Sequence, residues 1–238
     1  LNLLAFDTST ETLSVAVAAG TAVLEHVEAG GPKASARLIP VIEDLLARSG
    51  LTLAGLDAIA FGRGPGSFTG LRTAAAVAQG LGFGAGVAVL PIDTLLAVAE
   101  EAHHRSGATR IVAMLDARMG EVYHAAYERT GAAWTTRSAP ALARPEEVQV
   151  PAGWTLAGNV LEVLAGRLPS AALHVAALPT AAALLRLAPA GLSGQAAHPA
   201  AQALPLYIRD KVAQTTEERA ADRARKESRQ ASDAAEPT

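Results

Sequence analysis

Hydrophobic and polar positions change rhythm along the chain, and the rhythm predicts alternating strands and helices. "LNLLAFD" and "LSVAVAAG" are apolar runs divided by the turn-forming "TSTET", and "TAVLEHVEA" continues after Gly20. Together they predict a β-meander with Asp7 at the end of its first strand. In "PKASARLIPVIEDLLARSG" the positions Leu38, Val41, Ile42, Leu45 and Leu46 recur at helical spacing, and Gly50 supplies a stop. Pro40 inside that pattern predicts a late start or a kink. "LDAIAFGRGPGS" predicts a strand that runs into a glycine-rich loop, with Ser67 or Thr69 capping a helix from about Gly70 to Gly84. "GVAVLPI" predicts a further strand, and "DTLLAVAEEAHHRSG" a helix capped by Asp93 or Thr94.

A second unit begins near Thr109. "RIVAMLDARMGEVYHAAYER" reads as strand, turn, strand, with a polar break from Asp116 to Gly120. From 130 to 200 the chain is rich in Ala, Pro and Gly and breaks often, although "GWTLAGN" predicts a strand and "TAAALLRLAPAG" a helix. "ALPLYIRD" predicts a last short strand or hook. Residues 214–238 carry interleaved acidic and basic side chains with little apolar content beyond alanine, which predicts disorder.

Composition narrows the classes. With 238 residues, half of them apolar, the chain is long enough for two lobes, and no apolar run is long enough to span a membrane. The apolar start has no basic leader and meets Asp7 at once, so it reads as a strand and a cytoplasmic location is expected. The absence of cysteine removes disulfides, thiolate zinc sites and cysteine nucleophiles. A net charge of −3 argues against a protein that holds nucleic acid by its own electrostatics.

Three places carry candidate chemistry. "FDTST" puts Asp7 at a strand end with Thr8 and Ser9 in the turn, which suits either a magnesium and phosphate hairpin or an Asx turn that shapes the hairpin. "GRGPGSFTGLR" offers Gly64, Gly66, Ser67 and Thr69 at a helix start, the ingredients of an anion site, yet no lysine completes a Walker loop. The other reading is a turn that lets a small-residue helix approach a neighbour. "DARMGEVY" gathers Asp116, Arg118 and Glu121 in a turn that either binds a polar group or satisfies itself. The histidines form no H-E-x-x-H or similarly spaced pair, so no metal site is expected, and Ser67 has no His and Asp partners at a hydrolase spacing.

The segments "LLAFDTST", "LIPVIEDLL", "GRGPGSFTGLR", "LDARMGEVY" and "PLYIRDKVA", in that order, resemble the TsaB (YeaZ) family from residue 3 to about 213, most loosely over 130–200. The resemblance implies an α/β fold of the actin-like ATPase and sugar-kinase type, with two lobes that each hold a mixed sheet flanked by helices. Residues 1–106, completed by about 195–213, would form the N-terminal lobe and 107–194 the C-terminal lobe. It also implies a non-catalytic subunit for threonylcarbamoyladenosine synthesis next to the tRNA anticodon. TsaD, a paralogue, would be the catalyst and partner, TsaE would supply an ATPase, and tRNA would be contacted indirectly. TsaD holds its metal partly through a His-x-x-x-His pair; here Thr94 and Val98 stand in those places, so no metal and no required cofactor are expected. Docking on TsaD, and self-association as a homodimer, would use the first two helices, with Leu38, Ile42, Leu45, Leu71, Ala75 and Ala78 at spacings that suit helix packing. A nucleotide-binding ATPase or kinase is the alternative, and a glycoprotease-type peptidase a more distant one.

Overall fold

The computed structural model describes residues 1–164, 166–194 and 197–209. The chain opens with the expected meander: β1 (Asn2–Asp7), β2 (Thr12–Ala19) and β3 (Ala22–Ala29). There follow α1 (Ala34–Ser49), β4 (Ala58–Gly64), α2 (Phe68–Ala85), β5 (Ala88–Asp93) and α3 (Thr94–Ser106). The same scheme returns as β6 (Arg110–Asp116), β7 (Val122–Thr130), β8 (Ala133–Ala143), β9 (Thr155–Gly158), the single turn α4 (Val160–Val163), β10 (Leu173–Ala176) and α5 (Ala181–Ser193). Each half builds a five-stranded mixed sheet, in the orders β3-β2-β1-β4-β5 and β10-β9-β6-β7-β8. In both, the central strand has an antiparallel neighbour on one side and a parallel one on the other.

Alternation along the first strands decides which helices cover which face. Leu4, Phe6, Val15, Val17, Ile59 and Phe61 point to one side and pack against α1 and α2. Their neighbours in sequence, Ala5, Ala16, Ala18, Ala58 and Ala60, point to the other side, where the lack of bulk lets α5 lie close. By this packing α5 belongs with the first sheet, although the expected boundary at 194 assigned it to the second lobe. α3 lies between the two layers: Ala97 joins the α5 cluster, while Leu95, Val98 and Ala102 pack with Ile111, Ala113 and Tyr127 of the second sheet.

Several expectations are corrected. α1 runs from Ala34 through Pro40 without a late start. Pro40 and Ala36, whose carbonyl loses its helical partner, both lie on the exposed face, where water can take that bond. Ser67 and Asp93 occupy the N-cap positions of α2 and α3, but neither side chain caps its helix, and Asp93 instead pairs with Arg63 at 2.5 Å. The segment after Ala203 is a hook rather than a strand, tied by the Leu206 amide to the Arg63 carbonyl at 2.7 Å. β8 and β10 were not expected from sequence. The tail 214–238 lies outside the described residues.

Candidate functional site

The glycine loop between β4 and α2 is built around the chain's own first hairpin. A Cβ on Gly70 would lie 1.8 Å from the Thr8 carbonyl oxygen, and one on Gly62 would lie 1.7 Å from Asp7 Oδ2. Gly66 and Gly64 are crowded in the same way by the carbonyls of Ser9 and Leu206, at 2.4 and 2.7 Å. Two hydrogen bonds lock the hairpin down: the Ser67 amide donates to the Ser9 carbonyl at 2.7 Å, and the Thr8 hydroxyl donates to the Gly70 carbonyl at 2.8 Å. Asp7, Thr8, Gly64, Gly66 and Ser67 therefore come together as the sequence suggested, whereas Thr69 sits exposed beside them. A loop amide that could have met an anion is held by the carbonyl of Ser9, from the turn of the first hairpin.

Asp7 is the chemically unusual group at this seat. Its Oδ1 accepts from the Ser9 amide at 2.8 Å and the Ser9 hydroxyl at 2.6 Å, so the Asx turn that the pattern allowed is formed. Its Oδ2 is buried without a hydrogen-bond partner among the described residues. Burial pushes the carboxyl up to about 6, against the two Ser9 bonds and the nearby Thr94 hydroxyl. Thr94 Oγ1 in turn accepts from the Gly64 amide at 3.1 Å.

A second hairpin, between β6 and β7, faces the first. Arg118 and Met119 adopt φ of 64° and 56°, a left-handed pair that is uncommon for residues with side chains. Asp116 steadies the turn by accepting from the Arg118 amide at 2.8 Å and from its guanidinium at 3.3 Å. Glu121 closes the turn through its backbone. The self-satisfied turn is thus present, but Arg118 also reaches the Glu11 carboxylate on the first hairpin, a contact that the sequence did not reveal. Both side chains are largely exposed, so Glu11→Ala should cost less than about 1 kcal/mol in a denaturant titration. A loss several times larger would mean that this pair holds the hairpins together.

The helix residues proposed as an interface require correction. Leu38, Ile42, Leu45, Leu71, Ala75 and Ala78 are all buried in the core beneath the first sheet. Helical spacing found the apolar stripe, but the stripe faces the protein's own sheet. The outward faces are made by other residues: Ile39 on α1, 42% exposed, and Ala76, Gly80 and Phe83 on α2, with Phe83 84% exposed. At the start of α2 the Arg72 guanidinium stacks on Phe68 at 3.8 Å and donates to Tyr207 Oη at 3.1 Å, joining the hook to this face. Sequence reasoning passed over Phe68, Arg72, Tyr207 and Phe83.

Among the described residues no group of three His, Asp or Glu side chains is placed to hold a metal ion. Thr94 serves the Gly64 amide, and Val98 is packed between α3 and the second sheet. No helix among them is long and apolar enough to cross a membrane.

Two matching mixed sheets, with a carboxylate hairpin and a glycine loop at the end of the first, define an α/β protein of the actin-like ATPase type. A family model described as TsaD: tRNA N6-adenosine threonylcarbamoyltransferase matches residues 28–233. The tRNA threonylcarbamoyladenosine biosynthesis protein TsaB of Escherichia coli K12 is 39% identical over 165 residues, 67% of this chain and 71% of that protein. TsaB of Haemophilus influenzae is 50% identical over 123 residues, 52% of each chain. The solved structure of YeaZ from Pseudomonas aeruginosa is 40% identical and superimposes with a TM-score of 0.82 over 87% of this chain and 99% of that one. The chain belongs to the TsaB (YeaZ) family, whose role lies in tRNA threonylcarbamoyladenosine synthesis.

Proposed function

We propose that this protein is the non-catalytic partner of TsaD, which it binds and activates for threonylcarbamoyl transfer to the adenosine next to the tRNA anticodon. The observation that carries this reading is the seat of the first hairpin: Ser9 and Thr8 fill the glycine loop, and Ser9 takes a loop amide that an anion would need. The loop then acts as a rigid launch point for α2, and no nucleotide is required. TsaE supplies the ATPase activity of the larger complex, tRNA is met through the partner, and the protein works in the cytoplasm.

Docking uses the outward faces of α1 and α2. Ala76 and Gly80 allow a partner helix to approach closely, and Phe83 and Ile39 supply exposed apolar bulk to anchor it. The homodimer uses the same surface, so TsaD and a second copy compete for it. Phe83→Asp should weaken TsaD binding about thirtyfold or more, as loss of an interface anchor does. It should leave folding stability within about 0.5 kcal/mol, because the side chain is exposed. Calorimetric titration with TsaD measures the first and denaturant unfolding the second; undiminished binding by a folded Phe83→Asp protein would remove this face from the account.

A further inference from the structure

Against β2 and β3 of the first sheet, a cavity of about 300 Å3 opens toward the C-terminal half of α3 and the first turn of α5. Its floor is an ion network built around two buried carboxylates. Glu101 accepts from Arg186 Nη2 at 2.6 Å, Arg105 Nε at 2.8 Å and the Thr180 hydroxyl at 3.0 Å. Behind it, Glu100 accepts from Trp134 Nε1 at 2.8 Å and from Arg129 and Arg186, each at 3.0 Å. Glu100 and Glu101 are only 4% and 7% exposed, and three guanidiniums meet these two carboxylates, so the floor carries excess positive charge.

The donors left over point the same way. Arg105 uses Nε on Glu101 and Nη1 on the Ala176 carbonyl, which leaves Nη2; Arg186 uses Nε and Nη2, which leaves Nη1. In the first turn of α5 the Ala181 amide is taken by Ser14 and the Ala183 amide by Thr180, whereas the Ala182 amide, on the cavity wall, has no partner among the described residues. Across the opening stands Glu25, exposed and without a hydrogen bond or ion pair among the described residues. Val27, Leu178 and Pro179 supply apolar wall between the two poles.

We propose that this cavity binds a small zwitterion of the α-amino acid class, with its carboxylate toward Arg105, Arg186 and the Ala182 amide and its ammonium toward Glu25. The volume sits at the small end of ligand pockets. A plain dianion such as phosphate would be drawn to the guanidiniums but repelled by Glu25 within the same small space, and a plain amine would meet the reverse. Only a ligand with both charges is favoured at both poles.

The test uses the full chain and calorimetric titration with L-alanine, L-threonine and L-leucine, and separately with acetate, methylammonium and inorganic phosphate. At least one amino acid should bind tenfold or more tightly than any of the single-charge probes, and Glu25→Gln should weaken it about tenfold while acetate, relieved of the repulsion, binds as well or more tightly. Glu25 is exposed, so the variant is expected to fold, and a matching unfolding midpoint establishes that it has. Absence of amino acid binding at about 20 mM, binding no tighter than acetate, or an unchanged affinity in Glu25→Gln would each overturn the proposal. None of these readouts depends on TsaD or tRNA.

Discussion

Gly70→Ala should destabilise the protein by more than about 4 kcal/mol, a large part of the 5–15 kcal/mol that holds a typical domain folded. The new Cβ would lie 1.8 Å from the Thr8 carbonyl oxygen, a backbone atom that no rotamer change can move aside. Relief requires α2 to shift off the hairpin, which breaks the Thr8 to Gly70 and Ser67 to Ser9 hydrogen bonds together. Gly80, in the same helix, has nothing within 4 Å of its added Cβ, so Gly80→Ala should gain about 1 kcal/mol from helix propensity alone. Unfolding midpoints of the pair separate the two effects. A Gly70→Ala protein as stable as the parent would show that the hairpin is not seated as described.

Asp7→Asn should change the pH dependence of stability. The folded carboxyl titrates at about 6, above its ordinary value of 3.8, so the proton is held more tightly in the folded state. The stability linked to that proton is fully present below pH about 4 and is lost as pH rises through about 6. By neutral pH the ionised Asp7 destabilises the fold by on the order of 2–3 kcal/mol, and asparagine, which cannot ionise, escapes this penalty. The variant should therefore gain on the parent as pH rises from about 4 to 7.5 in parallel denaturant titrations. Oδ1 of the amide can still accept both Ser9 bonds, so the hairpin keeps its shape. A constant difference between the two proteins across that range would show that Asp7 is not buried as an unpaired acid.

Much of this architecture was legible from periodicity. The meander, α1, β4, α2, β5 and α3 follow from clear changes between strand and helix rhythm, closed by glycines such as Gly50, which ends α1 in the left-handed conformation. β8 was hidden because "AWTTRSAPALA" is mostly exposed along an edge, so no buried face imposes alternation, and Pro140 interrupts it. β10 is four residues long and three of them are exposed. The interface residues were misplaced for a different reason. α2 has small or apolar side chains on both faces, so spacing alone cannot orient it; only burial separates Ala75 and Ala78 from Ala76 and Gly80. The glycine loop was recognisable as a place of close approach, yet its occupant, the Thr8 and Ser9 backbone, carries no side-chain signal that a motif could record. The same limit hid the pairing of Glu11 with Arg118, which only the facing of two distant hairpins creates. As a consequence, charge substitutions at the buried Leu45 or Ala75 would unfold the protein before they tested its partner, whereas Phe83→Asp changes an exposed side chain.

The central claim is that this chain activates TsaD without performing the chemistry. Its most direct test is threonylcarbamoyl transfer to tRNA by the cognate TsaD and TsaE, measured without this protein, with it, and with its Phe83→Asp variant. Modification should stay near background without the chain, be full with it, and recover little with the folded variant. Undiminished modification in its absence would show that TsaD does not need this chain.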